Sequence, residues 1–127
     1  MQIPFFDADA DDASNYGAIG VVIAHEMTHN FDMAGRLFSK TGDMLDWWSD
    51  GDTEKFKELT ENTKERFDNM TALPFVKCNG ELTLNENIAD YGGLKIAYRA
   101  LEKVMNGRLD ITEPITGYNW KQRFFIS

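Results

Sequence analysis

The sequence predicts a mainly α chain: an active-site helix pair with supporting helices and a minor β ribbon. Three observations predict it. His25-Glu26-Met27-Thr28-His29 sits in an otherwise uncharged run from Ala18 to Phe31. Glu86 and Asp90, four residues apart, open a second periodic stretch that also carries Gly92-Gly93. Between them Phe56, Leu59, Thr63, Phe67 and Met70 step by three and four, with Lys, Glu and Asp filling the other positions, the pattern of an amphipathic helix.

The chain begins polar. Asp7-Ala8-Asp9-Ala10-Asp11-Asp12 lacks the glycine and the distal glutamate of a calcium loop, so it reads as a solvated entry leading to Ser14, the expected N-cap of the first helix. That helix is expected to end between Asp32 and Gly35. A helix turns about 100° per residue, which sets His25 and His29 roughly 40° apart with Glu26 on the same side. Ile19, Ile23, Met27 and Phe31 face the other way. A helix apolar nearly all round belongs in a core. Two imidazoles and a carboxylate are costly there unless something pairs with them. A divalent metal does so, since neutral imidazole is a zinc ligand and a glutamate can stand beside the water it activates. The alternative is a helix whose histidines are hydrogen-bonded core residues.

Arg36 to Trp48 reads as irregular, with a turn at Lys40-Thr41-Gly42-Asp43. Trp47 and Trp48 either line a cleft or join the core. The second helix is expected from Asp52 to Met70. Leu73 to Cys78 and Glu81 to Leu84 then flank Asn79-Gly80, a strong hairpin signal, so a short ribbon turning there is expected. The Glu86 helix continues through Ile88, Leu94, Tyr98, Leu101 and Met105 and ends near Asn106-Gly107. Thr116-Gly117 opens a last helix carrying Trp120, Phe124 and Phe125. The chain stops at Ser127 inside that apolar pattern, which reads as the cut edge of something larger. Residues 1–127 are expected to form a single domain.

Composition narrows the class. Hydrophobic content of 43% and aromatic content of 13% support a packed core. A net charge of −8 without a basic cluster argues against a nucleic-acid or anionic-membrane partner. No apolar run reaches the roughly 20 residues that span a bilayer, and no stretch reads as a signal peptide. The single cysteine, Cys78, excludes an internal disulfide.

A metal site needs a third protein ligand. There is no third histidine, and Asp32 and Gly35 stand where the metzincin continuation wants glycine and histidine, so a carboxylate must complete the set. Glu86 and Asp90 share one helical face, and Gly93 falls about 20° from Glu86 around the same helix. Two glycines inside a helix cost roughly 1 kcal/mol each relative to alanine. Close approach to the His25 helix would be a reason for them. Glu86 would then ligate the metal with His25 and His29, while Asp90 would accept the second ring N–H of a ligating histidine and fix its tautomer. Glu86 has another reading, because Thr83-Leu84-Asn85-Glu86 fits a capping box. Asp32 returns to roughly the His25 side and serves either behind the ligands or as a polar helix-end residue.

HExxH and ExxxD on separate helices resemble the gluzincin metallopeptidases. The wider text is similar to the neprilysin family, the M13 peptidases: His29-Asn30-Phe31-Asp32, Gly42-Asp43-Met44-Leu45-Asp46-Trp47-Trp48, the run from Gly80 to Gly93, and Ala97-Tyr98-Arg99-Ala100. The resemblance runs from about Pro4-Phe5-Phe6 to the end of the chain. It implies a zincin-like, truncated catalytic core, Zn2+ held by His25, His29 and Glu86, and peptide substrates. It also implies an exported or extracytoplasmic setting. Hydrolysis would run through a zinc-activated water, with Glu26 as general base and Asp90 assisting. The resemblance further implies an Asn-Ala edge strand that holds substrate, and a histidine and an arginine that stabilise the oxyanion, all in the remainder of the parent polypeptide. The alternative function is a zinc-binding but catalytically incomplete fragment.

Overall fold

The computed structural model describes residues 2–106, 108 and 115–127. They are mainly helical with one two-stranded ribbon, and no helix among them is long and apolar enough to cross a membrane. The chain divides into two compact units, Met1–Met27 with Asp90–Ser127, and Thr28–Ala89.

In the first unit the opening helix α1, Asp12–Asn15, is capped by Asp11, whose side chain accepts from the Ala13 N–H. Ser14 is therefore not the N-cap. It already lies inside the helix and donates its hydroxyl to Asp11 Oδ2 at 2.7 Å. An extended aspartate before the first turn reaches the orphan amides, and a serine within the turn cannot. A π turn, Tyr16–Gly20, leads into α2, Val21–Thr28, so one extra residue resets the phase of the helix just before His25.

Asp11 has a second task. Arg123, from α5 at Trp120–Ile126, places Nε 3.1 Å from Asp11 Oδ1 and donates Nη1 to the Tyr118 carbonyl at 2.6 Å. Burial pushes the Asp11 carboxyl up, but the bonds from Ser14 and Arg123 outweigh it and hold the group below its ordinary range. Helix α4, Leu84–Met105, enters this unit from Asp90 onward. Ala13, Ala24, Ala97, Leu101, Met105 and Phe124 form the core. Small residues let the helices meet closely. At Gly93 a Cβ would stand 2.8 Å from the His25 nitrogen and 2.9 Å from the Val21 carbonyl oxygen, so only glycine fits.

The last helix opens at Trp120 rather than at Thr116-Gly117. Those two residues have φ of 53° and 83° and make a turn, and Asn119 supplies the cap in a capping box with Gln122. Left-handed backbone belongs to turns and cannot start a helix. The burial of α2 is also one-sided. Ile23 and Met27 are half exposed and, with Ile19, Ile96 and Ala100, line an apolar cleft of about 460 Å³. The expectation of a helix buried all round is corrected: the unit's core takes the Val21 and Ala24 side of α2.

In the second unit, 3-10 turns at His29–Phe31 and Gly35–Leu37 precede α3, Asp50–Asp68, which Ser49 caps. Trp48 joins the packing, edge-on to Phe56 at 5.1 Å with the Arg36 guanidinium 5.6 Å above its ring. Trp47 stays half exposed and donates Nε1 to the Phe38 carbonyl. Phe56, Thr63 and Phe67 on α3 are partly buried as expected, but Thr60 takes the buried position in place of Leu59, which is exposed. Thr60 tolerates burial because its hydroxyl donates to the Lys57 carbonyl at 3.0 Å.

The ribbon pairs β1, Thr71–Leu73, with β2, Val76–Lys77, in the register Thr71 to Lys77 and Leu73 to Val76. It turns at Pro74-Phe75, where Phe75 has φ of 70°, and not at Asn79-Gly80. Asn79-Gly80 instead ties the approach to α4 onto the end of α3: Gly80 N–H donates to Asp68 Oδ1 at 2.7 Å, and Asn79 Oδ1 accepts from the Leu82 N–H. Helix α4 ends at Met105 as expected, and Gly107 lies outside the described residues.

Candidate metal centre

His25 comes from α2 and Asp90 from the α4 segment of the same unit. Its Nδ1 lies 2.9 Å from Asp90 Oδ1. The Gly93 contact brings the two backbones together near His25, so a side chain as short as aspartate can reach the ring. The Asp90 side chain remains 70% exposed.

His29 is held within the second unit. Its Nδ1 lies 2.8 Å from Asp32 Oδ2, a carboxylate only 6% exposed. The other oxygen, Oδ1, accepts from the Ala34 and Gly35 N–H groups at 2.8 and 2.7 Å. Burial alone would raise the Asp32 carboxyl. The bonds from Gly35, the His29 ring and Ala34 outweigh it and leave the group below its ordinary range. On the far side of the ring, Nε2 is 3.7 Å from Glu86 Oε2.

A carboxylate against Nδ1 keeps the proton on that nitrogen and turns the Nε2 lone pair outward, the tautomer a metal ligand needs. His25 in the first unit, and His29 and Glu86 in the second, each offer one ligand atom. Zinc bound at about 2.0–2.2 Å with tetrahedral geometry holds its ligand atoms roughly 3.4 Å apart. The 3.7 Å between His29 and Glu86 is close to that spacing. Two imidazoles and a carboxylate are also a donor set that zinc accepts, so the residues fit the ion. Glu26 follows His25 on α2 with its side chain exposed.

Thr83 sits at the start of α4 as the capping-box pattern requires, its carbonyl accepting from the Asn87 N–H at 2.9 Å. Its hydroxyl, however, donates to the Asn79 carbonyl and accepts from Asn87 Nδ2. The structure decides between the two readings of Asp32 in favour of a place behind a ring, and Asp32-Met33-Ala34-Gly35 carries the signal of an aspartate that receives the amides two and three residues on. Asn85, whose Oδ1 accepts from the Met33 N–H at 3.2 Å, has no local signal at all, because its partner lies 52 residues away.

The whole chain, residues 1–127, matches the family model for peptidase family M13. Endothelin-converting enzyme 1 of Mus musculus is 41% identical over 127 residues, which is 99% of this chain and 16% of that protein. Neprilysin of Homo sapiens is 42% identical over 131 aligned residues, covering 100% of this chain and 17% of its own length. Among solved structures, the Mycobacterium tuberculosis zinc metalloprotease ZMP1 in complex with inhibitor superposes with a TM-score of 0.91. Its identity is 39%, over 98% of this chain and 20% of that one. PepO from Lactobacillus rhamnosis HN001 gives 0.82 at 32% identity, over 99% of this chain and 18% of its own. The chain thus spans about a sixth of the length of the curated relatives it matches.

Proposed function

Because the chain belongs to peptidase family M13, we propose that it carries the zinc-binding core of an endopeptidase, with His25, His29 and Glu86 as the metal ligands. One observation carries the reading: within one unit, His29 Nε2 stands 3.7 Å from Glu86 Oε2, close to the spacing of two ligands on one zinc ion. When bound there, zinc activates a water at neutral pH and polarises the carbonyl that the water attacks. Glu26 takes the water's proton as its oxygen bonds to the peptide carbonyl carbon, and then delivers that proton to the amine as the C–N bond breaks. Asp90 and Asp32 keep the Nδ1 protons of His25 and His29 in place, so each Nε2 carries the lone pair that a metal takes.

Peptide substrates, an exported setting and a larger catalytic domain around residues 1–127 belong to the same proposal. Zinc content and cleavage of a quenched fluorescent peptide, measured on the full-length protein, test it. Glu26→Gln keeps the shape of the side chain but cannot accept the proton. It should retain stoichiometric zinc and lose turnover. A fall in kcat of less than about tenfold, roughly 1.4 kcal/mol, would remove Glu26 from the role of base.

A second reading applies to the 127 residues by themselves, as zinc-binding without turnover. The chain has two histidines, and both are in the ligand set, so no imidazole remains to stabilise an oxyanion. Peptidase assays on this chain beside the full-length protein separate the two readings.

A further inference from the structure

The turn after His29 holds that ring, and it is itself held by the residue next to Glu86. Three consecutive amides, those of Met33, Ala34 and Gly35, point at two side-chain oxygens. Ala34 and Gly35 donate to Asp32 Oδ1, and Met33 donates to Asn85 Oδ1 at 3.2 Å. The remaining oxygen of Asp32 lies 2.8 Å from His29 Nδ1. The turn is also pressed against His29 from behind. A Cβ at position 35 would stand 1.9 Å from the His29 carbonyl oxygen, so the backbone can lie there only as glycine.

Glu86 needs such a tie. It sits in the first turn of α4 with its side chain 63% exposed, and first turns fray. A long, exposed carboxylate in a first turn loses rotamer freedom when it ligates, which weakens metal binding. Asn85 is its immediate neighbour, and its short amide spans the gap to the turn that carries Asp32.

We propose that Asn85 is a positioning residue that sets the spacing of Glu86 from His29 through the Met33 amide and the Asp32 turn. The inference rests on the reading of His29 and Glu86 as zinc ligands. Asn85 touches no ligand atom in this role. It removes freedom from the segment that presents one, and so raises zinc affinity by preorganisation. The chemistry needs an acceptor oxygen one carbon beyond Cβ. Aspartate supplies that oxygen and alanine does not.

The test compares the full-length parent protein with Asn85→Ala and Asn85→Asp. Zinc affinity is read by chelator competition, and the ligand field by the visible spectrum of the cobalt-substituted forms. Alanine is the best helix former, so the variant keeps α4 and loses only the acceptor. Asn85→Ala should bind zinc about tenfold more weakly, the low end of what residues behind the ligands contribute, with a changed cobalt spectrum. Asn85→Asp should restore both. Parent-like zinc affinity and an unchanged cobalt spectrum in Asn85→Ala would overturn the inference alone, as would equal losses in the alanine and aspartate variants. A parent protein that binds no zinc would overturn the metal reading on which it rests.

Discussion

His25 and His29 stand one helical turn apart with a carboxylate behind each Nδ1, at 2.9 and 2.8 Å, yet the two supports are built in opposite ways. Asp32 is three residues from His29, almost wholly buried, and fixed by two backbone amides. Asp90 is 65 residues from His25, mostly exposed, and among the described residues its carboxylate bonds the ring alone. The first support is a local turn that forms with the chain around it. The second exists only once α4 has packed on α2 at Gly93. One carboxylate therefore fixes both a turn and a ring, and the other fixes a ring alone.

The harshest break of this comparison removes a ring altogether. His29→Ala should abolish tight zinc binding, because two ligands hold zinc far less firmly than three. Undiminished stoichiometric zinc by elemental analysis in that variant would end the assignment.

Asp32→Ala comes next, since it leaves the Ala34 and Gly35 amides without an acceptor. Two part-buried donors left unpaired should lower stability by about 2–4 kcal/mol, measured by denaturant unfolding of the metal-free protein. The effect should depend on pH. The folded Asp32 carboxyl lies below its ordinary 3.8, so the stability it contributes is complete above that value and is lost as pH falls through the lowered folded value. The parent protein should thus lose its advantage over Asp32→Ala below about pH 4. An advantage unchanged down to pH 2 would show that the carboxylate is not what stabilises the turn.

The smallest structural effect belongs to Asp90→Ala. Zinc affinity should fall about 10–100-fold, while stability of the metal-free protein should move by less than about 0.5 kcal/mol. Zinc affinity equal to the parent would make Asp90 a solvated helix residue. A stability loss as large as that of Asp32→Ala would erase the contrast between the two supports.

Much of the helical framework was legible in the sequence, because helical period is a local property. Four-residue spacing puts His25 beside His29 and Glu86 beside Asp90 whatever the rest of the chain does. The stretch from Phe56 to Phe67 could hardly be anything but a half-buried helix. The glycine at 93 announced a close approach to the His25 helix, and its contacts are with that helix. Ser14, Asn79-Gly80 and Thr116-Gly117 misled for a shared reason. Each is a residue type suited to several local uses, and the choice depends on neighbours: Asp11 for the cap, Asp68 for Gly80, and Asn119 with Gln122 for the last helix.

Sequence alone determined the chemistry of the donor set and the helical faces that carry it. Only tertiary structure decided that Asp90 serves His25 and that Asn85 reaches Met33. A residue's spacing to its helical neighbours follows from the backbone. Its contact with a residue 52 or 65 positions away follows from how two helices and a turn pack, and local periodicity does not specify that packing.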